Sequence, residues 1–182
     1  MSITLQSFRL GTTEHRRSLW SSVRLYFEKK VFLLDSLLGW NQSCDVWSVG
    51  CIIFELAMGF MMFDTHSSIE HLAMMERILG PIPTKMAEKS KLKYFSKGSL
   101  KWDEESSSGR HVRKKVKPLE RYIPREYRED QDWLDMFQLI GLMLRYDPNK
   151  RLTLKEALDQ PFLKKLKTRG PSSRSNSSYL SR

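Results

Sequence analysis

The chain has 182 residues, 40% of them hydrophobic and 29% charged, with a formal net charge of +10. That length is enough to bury the core of one ordinary domain, and that composition excludes a globally disordered chain. No apolar run approaches the roughly 20 residues needed to cross a bilayer, because Val49 to Phe63 is interrupted by Glu55, and the N-terminal stretch MSITLQSFRLGTTEHRRSLW has no apolar signal-peptide core.

The charge is unevenly spread. Residues 1–84 hold 7 basic and 8 acidic side chains, and residues 129–159 hold 4 and 7. Residues 85–128 hold 14 basic against 6 acidic, and the stretch from Gln160 onward holds 6 basic and none acidic. Two basic zones on a near-neutral body suit an acidic partner, such as a phosphoprotein, RNA or another acidic surface. The plain alternative is a set of solvated Lys and Arg that keep the protein soluble. Cys44 and Cys51 are seven positions apart, about 10 Å if they share a helix, which is too far for a disulfide and points to thiols in a reducing compartment.

Residues 1–37 fit neither the helical nor the strand period and stay unassigned. From Cys44 the signal sharpens. The segment CDVWSVGCIIFELAMGF has Val46, Val49, Ile52, Ile53, Leu56 and Ala57 on every side of a helical wheel, which predicts a buried helix ending at Gly59. In HSSIEHLAMMERILGPIP, Ser67 and Glu70 have capping-box spacing, Leu72, Met75 and Leu79 share one face, and Gly80 with Pro81 marks a stop. Residues 94–118 carry turn formers at Ser106 to Gly109, which predicts a β-hairpin or else a polar loop. Trp133, Phe137, Ile140 and Leu144 fall at helical spacing within 132–145. Beyond the turn at Asp147 and Pro148, Thr153 and Glu156 can cap a short helix, which Pro161 is expected to end. Residues 167–182, rich in Ser and Arg, cannot bury enough apolar surface to order themselves and are expected to be a disordered tail.

Four stretches in this order carry a resemblance. SCDVWSVGC resembles the start of the buried central helix in the C-terminal lobe of eukaryotic protein kinases. EHLAMMERILGP reproduces, at Glu70, His71, Leu72, Ala73, Met74, Met75, Glu76 and Arg77, the signature that gives the LAMMER (CDC-like) kinase family its name. KWDEESSSGRHVRKKVKPL looks like that family's insert, and RYDPNKRLTLKEALDQPF is similar to the block that closes the kinase domain. The resemblance runs from about Leu38 to Leu166. It implies a mainly α fold, a partial kinase C-terminal lobe over 38–166 with a small β-hairpin insert at about 94–118.

The resemblance also implies a reaction: transfer of the γ-phosphate of ATP, with Mg²⁺, to Ser, Thr or Tyr in Ser/Arg-rich splicing factors in the nucleus, with a cytoplasmic location also open. The parts that perform it precede the central helix in chain order. Residues 1–43 contain no GxGxxG, HRD, DFG or APE motif. No catalytic, cofactor-binding or metal-binding residue is therefore assigned to this chain. The resemblance implies structural positions instead, at Asp45, Trp47, Gly50 and Arg151. Asp45 matches an aspartate that braces the catalytic loop, although a carboxylate near a helix N-terminus is favourable by itself. Arg151 matches an arginine that pairs with the glutamate of APE; without that motif it is expected to be a solvated surface side chain. Gln160 stands where many kinases have His.

The remaining side chains read more plainly. His15, His66, His71 and His111 lack metal-ligand spacing, and the methionines at 58, 61, 62, 74 and 75 read as core filling. Arg113, Lys114, Lys115 and Lys117 are the candidate contacts for an acidic partner, phosphoprotein or Ser/Arg-rich splicing factor, or else a solvated hairpin edge. Neither a membrane nor direct nucleic-acid recognition is indicated. A non-catalytic binding module and a truncated product remain alternatives to a kinase part.

Overall fold

A helix over Ser43–Met58 (α1) forms the spine of the protein, whose computed structural model describes residues 43–65 and 67–168. The unassigned segment 1–37, His66 and the tail beyond Thr168 lie outside the described residues. Gly59, at φ +78, ends α1 by turning left-handed, with its N–H on the Glu55 carbonyl at 2.8 Å. Burial along α1 is uneven. Val46, Trp47, Ser48, Gly50, Cys51 and Phe54 are buried, Ile52 and Ile53 are half-buried, and Leu56 is 51% exposed. The all-round burial expected from the apolar wheel is thus met on one side only.

The partner of that side is α5, Gln131–Met143. Asp130 starts α5 by accepting from the Asp132 and Trp133 N–H groups at 2.9 and 3.2 Å. Phe137, Leu139, Ile140 and Met143 then face inward. Gly50 permits the close approach: a Cβ there would lie 3.1 Å from the Met143 Cβ and 3.2 Å from the Leu144 Cδ2. Phe54 meets Tyr122 edge-on at 5.2 Å and Phe137 at 6.2 Å. Burying the Phe54 and Phe137 side chains contributes about 1.5 to 3 kcal/mol each.

Helix α2, Ser68–Leu79, begins where the Ser67 and Glu70 spacing predicts, but its cap is relayed. The Ser67 hydroxyl accepts from the Glu70 N–H at 3.5 Å, while the Glu70 carboxylate takes the Thr65 hydroxyl at 2.6 Å, and Thr65 Oγ1 accepts the Ser67 N–H at 3.1 Å. Gly80, at φ +89, ends α2. A short helix α3, Thr84–Lys89, follows and supports a two-stranded ladder of β1, Phe95–Ser96, and β2, Ser99–Leu100.

A β-hairpin is present, though not at Ser106 to Gly109. It turns on Lys97 and Gly98, both at positive φ, the pattern of a two-residue primed turn. The expected turn at Ser106 to Gly109 is instead the start of helix α4, Ser107–Lys115. Ser106 is its N-cap and accepts from the Gly109 N–H at 2.9 Å. Gly109 is buried against the backbone of Asp103 and Glu104, where any Cβ would collide. The Ser and Gly residues read as turn formers serve capping and close packing, and α4 lies along α2.

Two 3₁₀ turns, Leu119–Tyr122 and Arg125–Tyr127, connect α4 to α5. Helix α6, Leu154–Leu158, starts with the reciprocal Thr153 and Glu156 cap expected from sequence, at 2.8 and 3.2 Å. Pro161 does not simply close that segment; it opens α7, Pro161–Thr168, where a missing N–H costs nothing. Lys167 and Thr168 belong to that helix. Lys165 anchors α7 to α5, with Nζ 2.7 Å from Asp135 and 3.1 Å from Asp132.

Candidate functional site

Arg151 is 5% exposed, which corrects the expectation of a solvated side chain. Its Nε donates to the Arg145 carbonyl at 2.9 Å, Nη2 to the Tyr146 carbonyl at 3.2 Å, and Nη1 to the Ser43 carbonyl at 2.6 Å. The guanidinium also lies 5.2 Å over the Trp47 ring, and that ring packs 6.1 Å from Tyr146. A planar fork of five donors can satisfy several carbonyls at once, which a lysine cannot. The arrangement ties the loop after α5 to the first turn of α1. Asp45 is exposed in that same first turn, the position favoured by the helix dipole.

The signature residues divide by helical position into packing and clamping roles. His71, Leu72, Ala73, Met74 and Met75 are buried, with the His71 ring edge-on to Phe63 at 4.9 Å. Glu76 accepts the Ile82 N–H at 3.1 Å, which holds the chain after the Gly80 turn. Arg77 donates through Nε to the Val116 carbonyl at 3.3 Å, which holds the end of α4. Glu70 belongs to the relayed cap at Thr65. Every one of these roles is structural: the helix positions its neighbours.

Arg113, Lys114, Lys115 and Lys117 lie on and just beyond the last turn of α4, not on a hairpin edge. They do not form one patch. Arg113 makes a 2.7 Å ion pair with Glu105, both well exposed. Lys115 and Lys117 line a cleft of about 400 Å³ with His111, Arg121 and the half-buried Met58 and Met61, while Lys114 is exposed outside it. A larger cleft, about 550 Å³, lies between the end of α2, α3 and the end of α5, floored by Ile78, Leu79 and Leu144 and edged by Lys85, Arg145 and Lys150.

Several structurally important residues escaped sequence reasoning. Tyr146 donates its hydroxyl to the Gly80 carbonyl at 2.9 Å, and burial, together with the nearby Glu76 charge, pushes that hydroxyl far above its ordinary range so that it stays a donor. Ser43 receives Arg151. Burial would raise the Asp135 carboxyl, yet hydrogen bonds from Lys165 and Gln131 outweigh it and hold Asp135 below its ordinary value. Glu55 shows the reverse, raised by burial. Among the described residues, no three His, Cys, Asp or Glu side chains converge on a point that could hold a metal ion.

The comparisons agree with this architecture. The sequence profile of the protein kinase domain matches residues 34–163. The chain is 49% identical over 172 residues to the dual specificity protein kinase CLK2 of Homo sapiens, covering 93% of this chain and 33% of that protein. It is 51% identical over 155 residues to the dual specificity protein kinase CLK1 of Mus musculus, covering 85% and 31%, and 47% identical over 171 residues to the serine/threonine-protein kinase Doa of Drosophila melanogaster, covering 90% and 20%. The crystal structure of the PF14_0431 kinase domain superposes with a TM-score of 0.60 at 37% identity, over 72% of this chain and 38% of that one. The chain spans about a third or less of the length of these curated relatives. Its helices match the C-terminal lobe of that fold, and the chain belongs to the protein kinase domain family, within its LAMMER, or CDC-like, group.

Proposed function

We propose that this chain is the C-terminal scaffold of a LAMMER-type dual-specificity kinase and does not itself bind nucleotide or transfer phosphate. The observation that carries the reading is the fate of the family residues. Trp47, Gly50, the His71 to Met75 run and Arg151 are all spent on packing and on bracing backbone carbonyls. Phosphoryl transfer rests on positioning and on neutralising charge around the triphosphate. The absence of GxGxxG, HRD, DFG and APE motifs from residues 1–43 supports the same reading.

In a protein that also carries the upstream parts, this scaffold supports the family's reaction: ATP and Mg²⁺ used to phosphorylate Ser, Thr or Tyr in Ser/Arg-rich splicing factors in the nucleus. The named activity of the relatives, dual specificity protein kinase, supports that reading. A second reading, a non-catalytic module for acidic partners, is favoured by one observation, the basic cleft edge at Lys115 and Lys117.

The test is incubation of the purified chain with labelled ATP, Mg²⁺ and a Ser/Arg-rich peptide. No incorporation above a protein-free control is expected. Labelled peptide that persists after Asp45→Ala and after removal of contaminating kinases would overturn the reading of an inactive scaffold only if incorporation scales with the amount of chain.

A further inference from the structure

We infer that the cleft between the end of α1 and the end of α4 docks an acidic peptide segment of a partner protein that presents one large apolar side chain. The cleft encloses about 400 Å³. Its floor is Met58, Met61, Met62 and Met74, and the first two are only half-buried. Methionine is unbranched and polarizable, so such a floor repacks around an incoming side chain at little cost. Phe60 forms part of the wall and is 46% exposed, although its ring already meets Phe54 edge-on at 5.7 Å and Tyr122 at 6.0 Å. An exposed aromatic beside half-buried methionines offers a pocket for a single apolar anchor.

The edge of the cleft supplies the charge argument. Lys115, Lys117 and Arg121 line it, and His111 stands one turn before Lys115 on α4. Against three formal positive charges there is one acidic lining residue, Asp64. Among the described residues no carboxylate lies within ion-pair distance of Lys115, Lys117 or Arg121. Arg113 is the contrast: two positions before Lys115, it turns to another side of α4 and is neutralised there by Glu105. Lysines at a helix C-terminus are favourable for the helix alone, which accounts for Lys114 and Lys115. That does not account for Lys117 or Arg121, which lie beyond the helix.

Uncompensated cations around an apolar floor fit a ligand with carboxylates flanking an apolar residue. A nucleic acid fits less well, because successive bases need a row of exposed aromatic faces and this cleft exposes one.

The test is fluorescence anisotropy of the whole chain with a dye-labelled Glu/Asp-rich peptide carrying a single central Phe. The same peptide with Ala for Phe and a labelled single-stranded RNA serve as competitors of the idea. The Phe peptide should bind saturably, and both the Ala peptide and the double variant Lys117→Glu, Arg121→Glu should lower affinity about tenfold or more. Lys114→Glu, on the same helix but outside the cleft, should change it by less than about twofold. Raising salt on the unmodified chain should weaken binding steeply, a readout that does not depend on any variant folding. Absence of saturable binding, equal affinity for the Ala peptide, an equal loss from Lys114→Glu, salt-independent binding, or tighter binding of the RNA would each overturn the assignment.

Discussion

The Arg151 guanidinium donates to the Ser43 carbonyl at 2.6 Å, joining positions 108 apart in the sequence. The bond closes the scaffold: it pins the N-terminal turn of the spine helix to the loop that follows α5. Replacing Arg151 with Lys keeps the charge but loses the fork that reaches three carbonyls and covers Trp47. We expect Arg151→Lys to cost about 2 kcal/mol and Arg151→Ala about 3 to 4 kcal/mol. Urea unfolding followed by tryptophan fluorescence reads both; a loss below about 0.5 kcal/mol, the level of an ordinary surface change, would return Arg151 to the solvated role that the sequence alone suggested.

The signature helix offers a second check, because its residues are buried to very different extents. Leu72 is 0% exposed, so Leu72→Ala should cost about 2 to 5 kcal/mol. Arg77 is exposed and makes a single 3.3 Å bond to Val116, so Arg77→Ala should cost about 1 kcal/mol or less. Thermal melts of the two variants should differ in that order. The reverse order would mean that the signature's polar end, not its packing, holds this part of the fold.

Acid and alkali should act on opposite partners of one ion pair. Asp135 is held below its ordinary 3.8 in the folded state, so its contribution is complete above that value and is lost as pH falls through the lower folded value. Lys165 is raised above its ordinary 10.5 by the hydrogen bonds it donates to Asp135 and Asp132, so its contribution is complete below 10.5 and is lost as pH rises through the higher folded value. Denaturation midpoints across pH should therefore fall at both ends, and Asp135→Asn should flatten the acid limb.

Glu55 runs the other way. Burial raises it above 4.5, so its ionisation detracts from stability as pH rises through the folded value. Glu55→Gln should remove that loss, and stability at neutral pH should rise relative to the unmodified chain. An identical pH profile for the two proteins would show that the Glu55 carboxylate is no burden to the fold.

Much of this organisation was legible from local signals. The stop at Gly59, the start at Ser67, the cap at Thr153 and the face of Trp133, Phe137, Ile140 and Leu144 depend on residues close in sequence, and the structure contains each. Helix α4 was not legible, because SSSGRHVRKK offers only Val112 as a buried apolar residue within it. Its stability comes from the Ser106 cap and from Gly109 packing on Asp103 and Glu104, contacts that imitate a turn when read as composition. Mistaking helix for hairpin also hid the division of the basic run, since only a helix sends Arg113 and Lys115 to different sides. The burial of Arg151 is not legible for a different reason. It depends on Ser43 and Trp47, more than 100 positions earlier in the sequence, and no local pattern carries that information.

The most direct test is isothermal titration calorimetry of the purified chain with ATP and Mg²⁺. The account predicts heats that do not rise above dilution at any ratio, because the family resemblance here is carried by packing and backbone bracing. Saturable, micromolar-or-tighter nucleotide binding would contradict it.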